Sequence, residues 1–145
     1  MTLRRKLSFG LYLINALILY VFAARYLLAD RLMPYHAETI GVARDGLPAE
    51  QMLVFITLYR AVGAGMLGVG IAILFVLLLP FRAGAGWSTW CMTAVGLAYG
   101  GVSLFLTLAY QAGTTAAVPW PGPAVAVVTI VIAHLLAGKA EARPT

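Results

Sequence analysis

The sequence predicts an all-α integral membrane protein, a bundle of four transmembrane helices with both termini in the cytoplasm. Three observations predict it. The 145 residues are 62% hydrophobic and only 10% charged, where a soluble domain carries about 25% charged residues. Long apolar runs divide the chain. Basic residues gather at alternate ends of those runs, which is the orientation signal of membrane proteins.

The first run, LSFGLYLINALILYVFAARYLLA, covers residues 7–29. A basic start before an apolar stretch raises the signal-peptide reading, but the stretch is longer than a typical signal core, and Leu27 is a poor small residue for a cleavage site. It reads as a retained span. The second run covers 51–80 and the third 87–111. The fourth covers 123–138 and needs residues from Val118 onward to reach the about 20 residues that cross a bilayer. Strands are excluded: the runs do not alternate, and they are far longer than barrel strands of about 10 residues. Helices satisfy their own backbone groups in lipid. Residues 1–145 form one membrane domain.

Charge sets the direction. Arg4, Arg5 and Lys6 lie before the first run, Arg82 between the second and third, and Lys139 and Arg143 after the fourth. With four spans these all fall on one side, the cytoplasmic one by the positive-inside rule. The connector 30–50 carries Asp30, Glu38, Asp45 and Glu50 against Arg31 and Arg44 and faces outward. Trp87 and Trp90 mark the inner interface, and Tyr110 and Trp120 the outer one. The net charge of +5 is thus an orientation signal, not the basic, aromatic-interleaved face that nucleic acid needs.

The outer connector contains DRLMPYHAET, the longest polar passage of the chain. Pro34 and Pro48 suit first-turn helix positions, and Glu50 suits the positive end of a helix. A short helix over 34–43 and a turn at Asp45–Gly46 are expected.

GAGMLG, residues 63–68, fits the dinucleotide spacing G-x-G-x-x-G. That fingerprint needs a preceding strand and an exposed helix start; here it sits inside an apolar run. Packing is the better reading. Ala61, Gly65, Gly68 and Ala72 share a helix face, and Gly96 and Gly100 form a G-x-x-x-G. Small residues let membrane helices approach closely, so the second and third spans are expected to pack together, or one such face to pair between subunits. Asn15 is expected to hydrogen-bond across helices. Cys91, the single cysteine, reads as a small buried hydrophobe.

The candidate site lies on the outer side. Arg60 is a charge within an apolar run, which costs about 2.5–3.5 kcal/mol at mid-helix on insertion scales. It either snorkels to the interface or meets an acid or bound anion. Arg25 stands at a similar height. Tyr99, Ser103, Thr107 and Tyr110 follow steps of four, four and three, one polar stripe running outward. Such hydroxyls either face a ligand or bond their own helix backbone. Above this rim stand Asp30, His36 and Glu38. The simplest expectation is neutralisation, with Glu38 or Asp30 capping Arg25 or Arg60 and fastening the connector to the bundle. The candidate ligand residues are Arg60, Tyr99, Ser103, Thr107, Tyr110, Arg25, His36 and Glu38. No catalytic or metal site is expected: His36 and Glu38 lack further ligands, and no nucleophile elbow, zinc helix or phosphate loop occurs.

The segment LYRAVGAGMLGVGIAILFVL, 58–77, resembles the Arg-then-Gly-rich second helix of small four-helix bacterial membrane proteins grouped as DoxX-like. RLMPYHAETIG resembles the connector of uncharacterised bacterial four-helix proteins. Some DoxX proteins are subunits of quinone-linked oxidoreductases, so the resemblance implies a quinone or a redox partner in a bacterial inner membrane. The sequence shows no cysteine pair and no haem-ligand pair across two helices.

Two functions follow first. One is a non-enzymatic scaffold or accessory subunit, with a protein partner or its own copies docked on the connector. The alternative is a module that binds or transports a lipid, quinone or small anion between the second and third spans. A small multidrug exporter is disfavoured, since no span carries the carboxylate such transporters use. A membrane enzyme with His36 as acid or base ranks last.

Overall fold

The computed structural model describes residues 1–138. Lys139 and Arg143, used above as orientation signals, lie outside the described residues. The described chain is all-helical, and three of its helices are long and apolar enough to cross a membrane.

Helix α1 spans Leu3–Leu27. It starts earlier than the apolar run because Thr2 caps it, its Oγ1 accepting from the Arg5 N–H at 3.4 Å, an ordinary N-cap role for threonine. The basic triplet is therefore helical. The short helix α2 spans Pro34–Ile40. It ends three residues short of the expected 43 because Gly41 adopts a left-handed φ of 70°, which terminates helices. Helix α3 spans Ala49–Val76 and passes into a π-helical turn at Leu77–Phe81. Pro80 has no N–H for a regular ladder, and the turn widens around it. Helix α4 spans Trp87–Gly113, and α5 spans Pro121–Ala137. The 17 residues of α5 rise about 26 Å, less than a hydrocarbon core of about 30 Å.

Helix α1 lies between α3 and α5, α4 packs on α5, and of the neighbouring pairs α3 and α4 touch least. This corrects the pairing expected from the glycines. Ala61, Gly65, Gly68 and Ala72 are all exposed, and a Cβ at Gly65 or Gly68 would meet nothing within 4 Å. The face that packs carries Gly63 and Gly70. A Cβ at Gly63 would lie 2.9 Å from Leu27 Cγ and 3.0 Å from the Ala23 carbonyl oxygen, so the backbones of α1 and α3 approach closely there. Helix α3 is apolar all round, and its periodicity alone does not choose between two faces that both carry small residues. The Gly96–Gly100 pair meets α5 rather than α3: a Cβ at Gly96 would lie 2.6 Å from Ile130 Cδ1.

One end of the bundle is densely joined. Tyr12, Ile73, Leu77, Phe81, Met92 and Ala133 are buried together. Ser8 Oγ donates to the Ala133 carbonyl at 2.7 Å. Thr93 Oγ1 donates to the Thr89 carbonyl at 2.8 Å and stands 2.7 Å from the Tyr12 hydroxyl and 2.8 Å from His134 Nδ1. Every proton is used if Tyr12 and His134 both donate to Thr93. Arg5 Nη2 donates to the Phe81 carbonyl at 2.6 Å, with its guanidinium 4.7 Å from the ring centroid. Arg4 Nη2 reaches the Leu135 carbonyl at 3.2 Å. The chain start, the π turn and the end of α5 thus meet at one end. Higher up, Asn15 Nδ2 donates to Thr129 Oγ1 at 2.7 Å, the interhelical bond expected of it.

Candidate functional site

At the other end, three tyrosines from three helices stand at the same level: Tyr26 in the last turn of α1, Tyr59 in α3, and Tyr110 near the end of α4. Helix α2 lies on them. The Tyr26 and Tyr35 hydroxyls are 2.7 Å apart. The Tyr59 hydroxyl accepts the Met33 N–H at 3.2 Å and is hydrogen-bonded to His36 Nδ1. A hydroxyl has one proton; if Tyr59 donates it to Nδ1, His36 is a neutral ring that accepts there. The His36 and Tyr59 rings stack, 5.4 Å apart and within 8° of parallel. Tyr110 presents an edge to Tyr35 and to His36, at 6.0 and 5.8 Å. Burial among these rings pushes the His36 pKa down and the Tyr35 pKa up, since desolvation disfavours the charged form of each. The rest of the connector closes on itself: Leu32 N–H donates to the Arg44 carbonyl at 2.9 Å, and Arg44 Nε donates to the Leu32 carbonyl at 2.8 Å.

So DRLMPYHAET is fastened by aromatic rings and hydroxyls, not by charge. The expected ion pairs do not form. Asp30 pairs with its neighbour Arg31 at 3.5 Å, the one ion pair among the described residues. Arg25, Arg60 and Glu38 are exposed. The physical reason is helical phase. Arg60 follows the buried Tyr59, and that 100° step turns it away from the bundle. Glu38 instead borders a polar surface groove with Thr39 and Thr115.

Directly beneath the aromatic cluster is a cavity of about 230 Å³. Helix α1 supplies Asn15, Phe22 and Tyr26; α3 supplies Val62, Met66 and Val69; α4 supplies Tyr99, Ser103 and Thr107; the approach to α5 adds Pro119, and the first turn of α5 adds Pro123. Most of the wall is aliphatic. Among the described residues the wall contains no carboxylate, histidine, lysine, arginine or cysteine. Its polar groups are largely committed. Asn15 binds Thr129 and the Leu11 carbonyl, and Tyr26 binds Tyr35. Thr107 bonds back to the carbonyls of Ser103 and Leu104, the local alternative weighed above. Tyr99 and Ser103, one turn apart on α4, are the remaining hydroxyl-bearing residues of the wall.

The sequence-predicted residues therefore divide three ways. Tyr99, Ser103 and Thr107 line the cavity; His36 and Tyr110 belong to the roof; Arg25, Arg60 and Glu38 lie outside both. Tyr26, Tyr35 and Tyr59 were missed. A partial signal existed, since Tyr26 and Tyr110 lie near the ends of α1 and α4, but aromatic residues near the ends of apolar helices are common enough to hide a cluster. No group of three or more His, Cys, Asp or Glu able to hold a metal occurs among the described residues. No family model, curated protein or solved structure matches the chain.

Proposed function

We propose that this chain is a non-enzymatic integral membrane protein that holds a small uncharged apolar ligand, of lipid or quinone type, in its outer half. The single observation that carries this reading is the cavity of about 230 Å³ with a mostly aliphatic wall that includes Tyr99 and Ser103. Ligand sites are mostly apolar with a few convergent polar groups, and this wall has that composition. The small-anion version has little support, because Arg25 and Arg60 are exposed and absent from the wall.

The membrane setting belongs to the same proposal. Four spans put Arg4, Arg5, Lys6 and Arg82 on one side, cytoplasmic by the positive-inside rule, with the aromatic roof outside. Local thinning of the bilayer accommodates the shorter α5. A bacterial inner membrane and kinship with DoxX-like proteins remain the reading of the two resembling segments. The scaffold reading keeps one supporting observation, the exposed face of Ala61, Gly65, Gly68 and Ala72, which suits close helix contact with a partner or a second copy.

Native mass spectrometry of the protein released gently from its own membrane tests the proposal. A stoichiometric extra mass is expected, and it disappears in Met66→Trp, which fills the cavity. A bare chain, or one bound only to another polypeptide, would replace this reading with the scaffold.

A further inference from the structure

We infer that the cavity is filled sideways from the lipid, through the seam between α3 and α4, by a neutral amphiphile with one extended hydrocarbon tail and a head bearing a carbonyl or hydroxyl. This rests on the ligand-holding reading above and names its ligand class and route.

The route follows from which walls are thin. Val62 on α3 and Leu106 on α4 both line the cavity, yet they are 43% and 58% exposed. Residues that face the cavity and the surroundings at once mark its mouth. The seam between them belongs to the helix pair with the least mutual packing in the ring α3–α1–α5–α4. Pro119, in the α4–α5 connector, is the other exposed lining residue, but the remaining helix seams are closed. Gly63 brings α3 against α1, and Gly96 and Gly100 bring α4 against α5. Towards water, α2 is tied down by the Tyr26–Tyr35 and His36–Tyr59 bonds. The α4–α5 connector is clamped by Gln111, whose Nε2 donates to the Ala116 carbonyl and whose Oε1 accepts from Val118 N–H, at 3.2 and 3.1 Å. A water-soluble ligand would have to break these. A lipid-dissolved one has only to displace the aliphatic side chains of Val62 and Leu106.

The ligand class follows from the wall. With no ionic partner inside, a charged head would carry the full cost of an unpaired charge at membrane depth. A neutral head needs one or two hydrogen bonds, which Tyr99 and Ser103 supply on one turn of α4. The volume of about 230 Å³ falls below the about 300–1,000 Å³ of drug-sized pockets. It suits a section of one chain and excludes the paired chains of a phospholipid. Isoprenoid quinones and single-chain glycerides or alcohols share this chemistry.

The test uses the full chain in phosphatidylcholine vesicles. The probe is hexadecanol carrying a diazirine midway along its chain, compared with the matching hexadecanoic acid. After photolysis, saturable labelling by the alcohol is expected on Met66 and Val69, and about tenfold less by the acid. Val62→Trp with Leu106→Trp, which plugs the seam, lowers the rate of labelling about tenfold. Val62→Ala with Leu106→Ala, which widens it, raises the rate about threefold, so a misfolded tryptophan variant does not end the test. Gly68→Trp, on the open face of α3, changes neither. Unlabelled isoprenoid quinone and unlabelled monoacylglycerol, added as competitors, separate the two sources. Saturable cavity labelling whose rate ignores both seam variants overturns the lateral route and leaves the ligand-holding reading intact. Equal labelling by the acid overturns the neutral head. Labelling spread evenly over exposed helix faces, without saturation, overturns the ligand-holding reading itself.

Discussion

The two halves of this bundle use the same four helices, α1, α3, α4 and α5, in opposite ways. The half around Tyr12, Phe81 and His134 is filled: large side chains are fully buried, and its hydroxyls and imidazole bond one another across α1, α4 and α5. The half around Tyr26, Tyr59 and Tyr99 leaves about 230 Å³ open and covers it with a short helix. The difference comes from the connections. The filled half has a tight link at 82–86 and a π turn that carries Phe81 into the core. The open half has the 21-residue stretch 30–50, long enough to fold back as a roof. Rigidity at one end thus holds the walls of the other.

The sharpest way to break that contrast is to empty the filled half. Phe81→Ala removes a ring at 0% exposure, contacted by Tyr12 and Phe9 and covered by Arg5. A loss of about 3–5 kcal/mol is expected, readable as an earlier unfolding midpoint in mixed micelles. An unchanged midpoint would mean that this end does not anchor the bundle.

A smaller effect separates the two glycine faces of α3. Gly63→Ala forces backbone against backbone and is expected to cost about 1–3 kcal/mol, whereas Gly65→Ala meets nothing within 4 Å and is expected to be neutral in the isolated chain. If Gly65→Ala alone weakened the protein, and did so in proportion to dilution, the open face would be a subunit contact.

The roof carries the next effect. Tyr59→Phe leaves the Met33 N–H and His36 Nδ1 without their shared partner, at a cost of about 1–3 kcal/mol. Faster protease cleavage within 30–48, with the rest of the chain intact, is the expected readout. The same roof should respond to pH. Burial lowers the His36 pKa from its ordinary 6.5, so the unfolded or detached connector binds a proton more readily than the docked one. The docking contribution is therefore complete above about pH 6.5 and is lost as pH falls from there towards the lowered value. Protection of Ala37 and Met33, with the intrinsic acid slowing of amide exchange divided out, should fall on acidification in the natural protein and lose that dependence in His36→Phe.

Arg60→Ala is expected to have the smallest effect, within about 0.5 kcal/mol, because Arg60 is exposed and makes no hydrogen bond or ion pair among the described residues. A large loss of stability would restore it to the structural role that its place in an apolar run first suggests.

The amino-acid sequence by itself determined the helical class, the helix limits to within a few residues and the polar stripe Tyr99–Ser103–Thr107. These depend on local quantities: apolar length, caps and the 3.6-residue period. Tertiary structure alone decided which face of α3 is buried. A helix apolar on every side has no preferred face until neighbours arrive, and the backbone approach at Gly63 selected one. The same choice turned Arg60 outward and separated it from the stripe it was expected to join. Only the fold brought Tyr26, Tyr35, His36, Tyr59 and Tyr110 together from four helices, since such contacts depend on helix order and depth rather than on spacing. Charge attraction is the natural fastening to expect of a polar connector. Aromatic packing and hydroxyl bonding took its place, because those groups point inward while the charged ones keep their water.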